Sequence, residues 1–423
     1  MGHNILVNGS NRIRKRRAMK KNLFVILLAV LCLVFVQTSV WAEENAAEYL
    51  KEYFDIAFDG EVTAEAYNDA LSAMGADELE TDTLTLADAI VGAVRLADME
   101  ELSVVYKDVI DRVQAGIELP VDASYTPYIY FAIMQDWVAD DADLTGPVSA
   151  DDAAVLLYRA AELSGKGRHY IGRLSDNDIL QKLQSFMSGI AIFDDETLSN
   201  AGIQIILDKA TTGFSLKYAG YDARFLEEKT IRYGHDSIPH ILQLTALLKS
   251  GDMDAYVQVE PKVSVYEYLL DWGTPGDPTP TYRVEEVEEG RYFAFALEFE
   301  LVLEFDSTAQ KEGFHSIVET YAKKYDSCFD EEGNPVKPLL ADSFWQPLYY
   351  STTGMENEEY KEVTDNVISF EGDTYAIHSF SLPENSEAVA QAAASVDADL
   401  VVTPRTVIVN PAFYRYITGE DYQ

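Results

Sequence analysis

The stretch from Pro127 to Leu163 reads PYIYFAIMQDWV (127–138), then an acidic turn closing at Gly146, then PVSADDAAVLLYRAAEL (147–163). In both flanks apolar residues recur every three or four positions, which gathers them on one face of a helix. Ser149 stands before the second run with Asp151 and Asp152 behind it: an N-cap hydroxyl, then acids suited to the positive end of a helix dipole. The stretch predicts two helices, 128–137 and 150–163, joined by a short loop.

Toward the N-terminus the same spacing predicts helices over 47–54, 64–74, 86–96 and 102–115, with Thr63 and Thr85 as further N-caps. The 127–163 unit resembles an S-layer homology repeat, in which a helix with an aromatic face is joined to a capped, Leu-rich second helix. Segment 84–98, LTLADAIVGAVRLAD, resembles the second half of a preceding repeat, and 62–67, VTAEAY, a truncated third. The resemblance implies an all-α region over 43–165. It also implies a grip on an anionic cell-wall polysaccharide through an Arg after each capping hydroxyl, whose planar fork suits such a ligand. The chain departs at those positions, which hold Ala64, Leu86 and Ala150.

Charge is distributed unevenly. Of 423 residues 72 are acidic and 32 basic, a formal charge of −40, which argues against a nucleic-acid surface because phosphate binding needs clustered cations. Residues 1–42 nevertheless carry seven basic side chains and no acid, followed by an apolar run over 23–36 and then Val40-Trp41-Ala42. That order predicts a signal peptide cleaved after Ala42, with membrane contact only during export. Cleavage removes Cys32 and leaves Cys328 alone, so no internal disulfide is expected. This fits a bacterial surface, extracellular or in the cell wall.

Past residue 165 the composition changes. Helices are predicted over 179–190, 197–210, 238–250, 310–325 and 385–395, and strands over 214–218, 255–260, 292–298, 300–305, 367–370, 374–380 and 400–409. The mixture predicts an α+β domain over 166–423. From about 200 to 310 its order of helix, strand and acid resembles the transglutaminase-like cysteine-hydrolase core. The resemblance implies a nucleophile at Ser237, in the turn with Gly234, His235 and Asp236, and an acid at Asp306. It departs at the base: no His lies between His240 and His315, and the strand that should supply one begins Arg291, Tyr292, Phe293.

Other chemistry stays open. Cys328 is flanked by Asp326, Asp330, Glu331 and Glu332, which would raise its pKa and blunt it as a nucleophile. His235 and His240 bracket Pro239 at a helix start, so a metal pair competes with simple capping. Asp141, Asp143, Thr145 and Asp152 occupy positions 1, 3, 5 and 12 of a calcium-type loop with Gly146 at position 6, and the same letters serve a metal-free capped turn. Two aromatic segments, 344–350 and 411–416, are candidates for stacking on sugars.

The expectation is an exported envelope or S-layer-associated protein acting as a non-catalytic binding or structural module, with cell-wall polysaccharide or other envelope components as partners. It needs no cofactor, calcium being the one candidate. A hydrolase using Ser237 or Cys328 and a calcium-dependent adhesion or scaffold module stand as alternatives. The chain recovered from cells should begin at Glu43, and intact-mass measurement checks this; retention of Cys32 would refute it.

Overall fold

A computed structural model describes residues 45–105, 119–139, 141–321, 348–355, 359–372 and 374–420. The expected signal peptide, both cysteines and most of the predicted 102–115 helix lie outside these residues. The chain divides into two units, Met1–Gly167 and Arg168–Gln423. Among the described residues no helix is long and apolar enough to cross a membrane.

The first unit holds α1 (Ala46–Phe54), α2 (Ala64–Ala73), α3 (Leu86–Leu96), α4 (Thr126–Met134) and α5 (Ala150–Leu163). Thr63, Thr85 and Ser149 each accept a hydrogen bond from the backbone N–H three residues on, so three helices begin on a hydroxyl. Their starts are tied together: Val62 N–H donates to the Val148 carbonyl at 2.9 Å and Leu86 N–H to the Gly146 carbonyl at 3.1 Å. Behind these caps the aromatic faces pack inward, Tyr49 edge-on to Tyr158 at 5.3 Å, while the Tyr67 hydroxyl donates to the Ala89 carbonyl at 2.8 Å.

The second unit is built on ten strands: β1 (Gly172–Arg173), β2 (Gly213–Tyr218), β3 (Thr230–His235), β4 (Ala255–Tyr268), β5 (Tyr282–Glu288), β6 (Arg291–Phe305), β7 (Leu348–Ser351), β8 (Lys361–Ser369), β9 (Tyr375–Ser381) and β10 (Val401–Val409). Their order is β1-β4-β2-β9-β8-β10-β7-β3-β6-β5, and β4 also pairs with β6. That extra pairing closes eight antiparallel strands into a barrel and leaves β1 and β5 attached outside the ring. The expectation of an all-α region followed by an α+β, transglutaminase-like domain is therefore overturned by a closed β-barrel. Alternating polar and apolar residues, as over 255–260, are what a half-buried strand shows, whereas closure buries both faces.

The alternation sets the architecture. On β6 the odd positions Phe293, Phe295, Leu297, Phe299, Leu301, Leu303 and Phe305 are buried and point outward, while Glu298, Glu300 and Glu304 point into the lumen. Helices cover the apolar outer wall. The helices α6 (Ile179–Met187), α8 (Ile238–Ser250) and α9 (Thr308–Tyr321) pack with Leu183, Leu244 and Phe314 against Val257, Leu301 and Leu303. Around the wall, α7 (Glu196–Leu207) and α10 (Ser386–Val396) bring Leu198, Ile205 and Val389 against Phe214, Val263 and Ile377. A Cβ at Gly202 would come within 2.4 Å of the Phe214 ring, so only glycine lets α7 lie this close to β2. The last helix, α11 (Pro411–Ile417), follows β10, and its Phe413 packs with Tyr350, Val407 and Val409.

Leu301 is completely buried between β6 and the covering helices. Leu301→Ala should cost about 2–5 kcal/mol through lost burial and the cavity left behind. Chemical denaturation monitored on the second unit's transition checks the value.

Candidate functional site

A closed ring of strands must fill or hydrate its interior, and here the inward positions carry charge. Glu260 of β4 and Glu300 of β6 face each other directly, an arrangement that like charges make unfavourable unless a cation intervenes. Lys217 and Lys262, themselves cross-strand partners on β2 and β4, supply it. The Lys217 ammonium donates to Glu300 and lies 3.6 Å from Glu260. The Lys262 ammonium lies 3.4 Å from Glu300 and 3.8 Å from Glu298. The Tyr350 hydroxyl donates to Glu300 at 3.1 Å, and Arg232 forks onto Glu227 at 2.8 and 3.0 Å.

This packing sets the protonation states. Burial would raise the Glu300 carboxyl, but Lys217 and Lys262 outweigh it and hold the group far below the usual carboxylate range. Glu260 moves the other way, raised by burial that Lys217 and Arg232 only partly offset. Across the lumen Asp365 sits 2.8 Å from His378 Nδ1. Burial opposes the Asp365 charge, but His378 holds that carboxyl low; burial in turn lowers His378, against the pull of Asp365.

One end of the barrel is sealed. The loop over 219–229 packs Ala223 and Phe225 against Val302, and its backbone caps inward carboxylates: Ala223 N–H donates to Glu260 at 3.0 Å and Leu226 N–H to Glu304 at 3.1 Å. Arg168 clamps Glu304 with two bonds of 2.8 Å. The other end opens into a cavity of about 1180 Å³, a little above the ~300–1,000 Å³ typical of small-ligand sites. Lys262, Ser264, Glu298, Glu300 and Tyr350 form its floor, Tyr266, Trp272, Phe380, Phe413 and Tyr416 its walls, and His235, Asp236, Ser237 and His240 part of its rim.

The sequence-predicted residues are thus distributed unequally. Ser237, His235 and His240 do meet at the rim: Ser237 N–H donates to His235 Nδ1 at 2.9 Å, and the two imidazoles lie 3.1 Å apart. The Asp236 carboxylate lies 2.8 Å from the same His235 nitrogen, and this imidazole beside it holds the Asp236 carboxyl low. Asp306 does not join them. It lies at the sealed end, bound to Arg173, seven residues along β6 from the partner of His235, or about 23 Å at ~3.3 Å per strand residue. The calcium candidates are engaged locally: Asp143 accepts from the Thr145 N–H and hydroxyl at 3.2 and 3.0 Å, and Asp152 from the Ser149 hydroxyl at 2.6 Å. Among the described residues, no three His, Cys, Asp or Glu side chains gather as a metal site, Asp141 included. Of the aromatic segments, Tyr350, Phe413 and Tyr416 reach the cavity.

No family model, no curated protein and no solved structure matches the chain. The residues missed in the sequence, Lys217, Lys262, Glu298 and Glu300, had one available signal. They are charged or polar letters at strictly alternate positions of strands whose other letters are large and apolar.

Glu300→Gln should cost about 3–5 kcal/mol, because Lys217 and Lys262 lose the one buried carboxylate that both of them contact. A carboxylate depressed in the folded state stabilises fully above its unfolded pKa and loses that contribution as pH falls through the folded value. Unfolding free energy should therefore decline as acid is added below ~4.3, the unfolded Glu value. Glu260 works in the opposite sense, so the test is the difference in slope between the natural chain and Glu300→Gln, with the natural chain steeper.

Proposed function

We propose that this is an exported bacterial envelope protein acting as a non-catalytic binding module, whose ligand site is the open mouth of the β-barrel. The observation that carries the reading is the cavity of about 1180 Å³, closed below by an ion-paired floor and walled by aromatic rings. Concave sites with a largely apolar wall and a few convergent polar groups are where small molecules bind. Phe380 and Phe413, 5.0 Å between ring centres, and Tyr350 beside Phe380 at 5.2 Å give that wall rigid faces. The rim departs from what hydrolysis requires, since the Ser237 imidazole neighbour already accepts from the Ser237 backbone and the expected acid is at the far end.

The first unit fits an anchoring role in the same reading. Its resemblance to S-layer homology repeats, together with three capped helix starts bound side by side, supports contact with an envelope polymer. Such contact would use residues other than Ala64, Leu86 and Ala150.

Thermal unfolding of the mature chain with a panel of saccharides, amino acids, nucleosides and amines tests the site. A true ligand at 100 times its Kd adds about 2.7 kcal/mol to stability. Gly234→Trp, where only the Lys262 ammonium stands 3.1 Å from the new Cβ, should fold and lose the effect. No stabilisation by any class, or stabilisation undiminished in the filled variant, would refute the reading.

A further inference from the structure

The polar side of the cavity has a direction. Ser264 donates its hydroxyl proton to Glu298 at 2.6 Å, because an ionised carboxylate can only accept. Ser215, 3.1 Å from Ser264, must then donate to it and is left with acceptor lone pairs. His378 is the cross-strand partner of Ser215 on the same inward face. With Asp365 taking the proton of its Nδ1, the neutral ring keeps Nε2 as an acceptor. His378, Ser215 and Glu298 therefore form a row of acceptors along one wall of the cavity.

Charge runs the same way. The floor sets Glu260, Glu298 and Glu300 against Lys217 and Lys262, three carboxylates to two ammonium groups, and both lysines already lie against carboxylates. Arg232 is neutralised by Glu227. Asp365, whose Oδ1 is buried without a hydrogen-bond partner among the described residues, adds a further negative charge that Arg405, its cross-strand partner, partly offsets. At the rim Lys209 and Asp236 contribute one charge of each sign, and Glu267 is paired with Arg291. The row of His378, Ser215 and Glu298 thus offers acceptors with an excess of negative charge beside it, and the rings of Tyr266, Trp272 and Phe380 line the same cavity, aromatic faces being surfaces that attract cations.

We propose that the cavity selects a primary ammonium group carried on an aromatic or long aliphatic body. The N–H donors meet Glu298, Ser215 and His378, and the body lies against the aromatic wall. This rests on reading the barrel mouth as the ligand site.

Three probes sharing an indole body, tryptamine, tryptophol and indole-3-acetate, separate the possibilities by isothermal calorimetry on the mature chain. Tryptamine should bind at least tenfold more tightly than tryptophol, and indole-3-acetate should not bind. Glu298→Gln, which keeps the size and the hydrogen bond to Ser264, should weaken tryptamine about tenfold or more and leave tryptophol unchanged. If tryptophol or the acid binds as well as tryptamine, and Gly234→Trp abolishes that binding, the cation preference is overturned while the ligand site stands. An unchanged tryptamine affinity in Glu298→Gln overturns the assigned contact. If none of the three probes binds, the ammonium preference is overturned; the site itself fails only if the wider panel is silent too.

Discussion

The second unit depends on one pairing. Ala255–Tyr268 and Tyr292–Phe305 run antiparallel over their whole length, and because each is also bonded to a different neighbour, the sheet has no choice but to return on itself. Closure removes the unpaired edges that an open sheet of eight strands would expose. It also divides every strand's side chains into an inner and an outer population, with no third option. Even positions of β4 and β6 had to become a lumen, and odd positions a surface that helices must cover.

The cost of that division falls on the lumen. An interior of Glu, Lys and Arg is expensive to desolvate, and replacing such groups with apolar side chains is often neutral or stabilising. The network survives by mutual satisfaction, Glu300 being held by two lysines and a tyrosine. At the sealed end carboxylates are met by backbone N–H groups and by the Arg168 fork, whereas at the open end acceptors line the cavity. The two ends of one barrel thus differ in how completely their polar atoms are partnered.

Much of the local structure was legible in the letters. The bounds of α3, α5 and α8 match the predicted spans, since strong periodicity and capping residues are local properties. Gly251 follows α8 and is the glycine expected to end a helix, yet the left-handed residue there is Asp252, and a Cβ at Gly251 would press on the end of the Ile317 side chain at 2.7 Å. What could not be read was nonlocal. The run LEFELVLEF (297–305) was split into two strands at Phe299, between Glu298 and Glu300, because carboxylates between apolar letters read as strand ends or an exposed edge. Only the lysines of other strands, far off in sequence, make it an interior position. The short β3 was likewise absorbed into a turn, and Pro411–Ile417 has too few residues to show a helical period. For the site, the rim cluster at 235–240 was visible as a dense polar segment, while the floor was scattered across β2, β4, β6 and β7 and had no linear signature.

The plug formed by 219–229 has a kinetic meaning. A barrel open at both ends is a conduit, but on the reading proposed above one stoppered by Phe225 and the Arg168–Glu304 clamp is, among the described residues, a vessel with a single doorway. Whatever enters must leave by the way it came, past α11 and the histidine rim. Residence time therefore belongs to the doorway, and alterations at the stopper change how firmly the vessel holds together without changing how fast it empties.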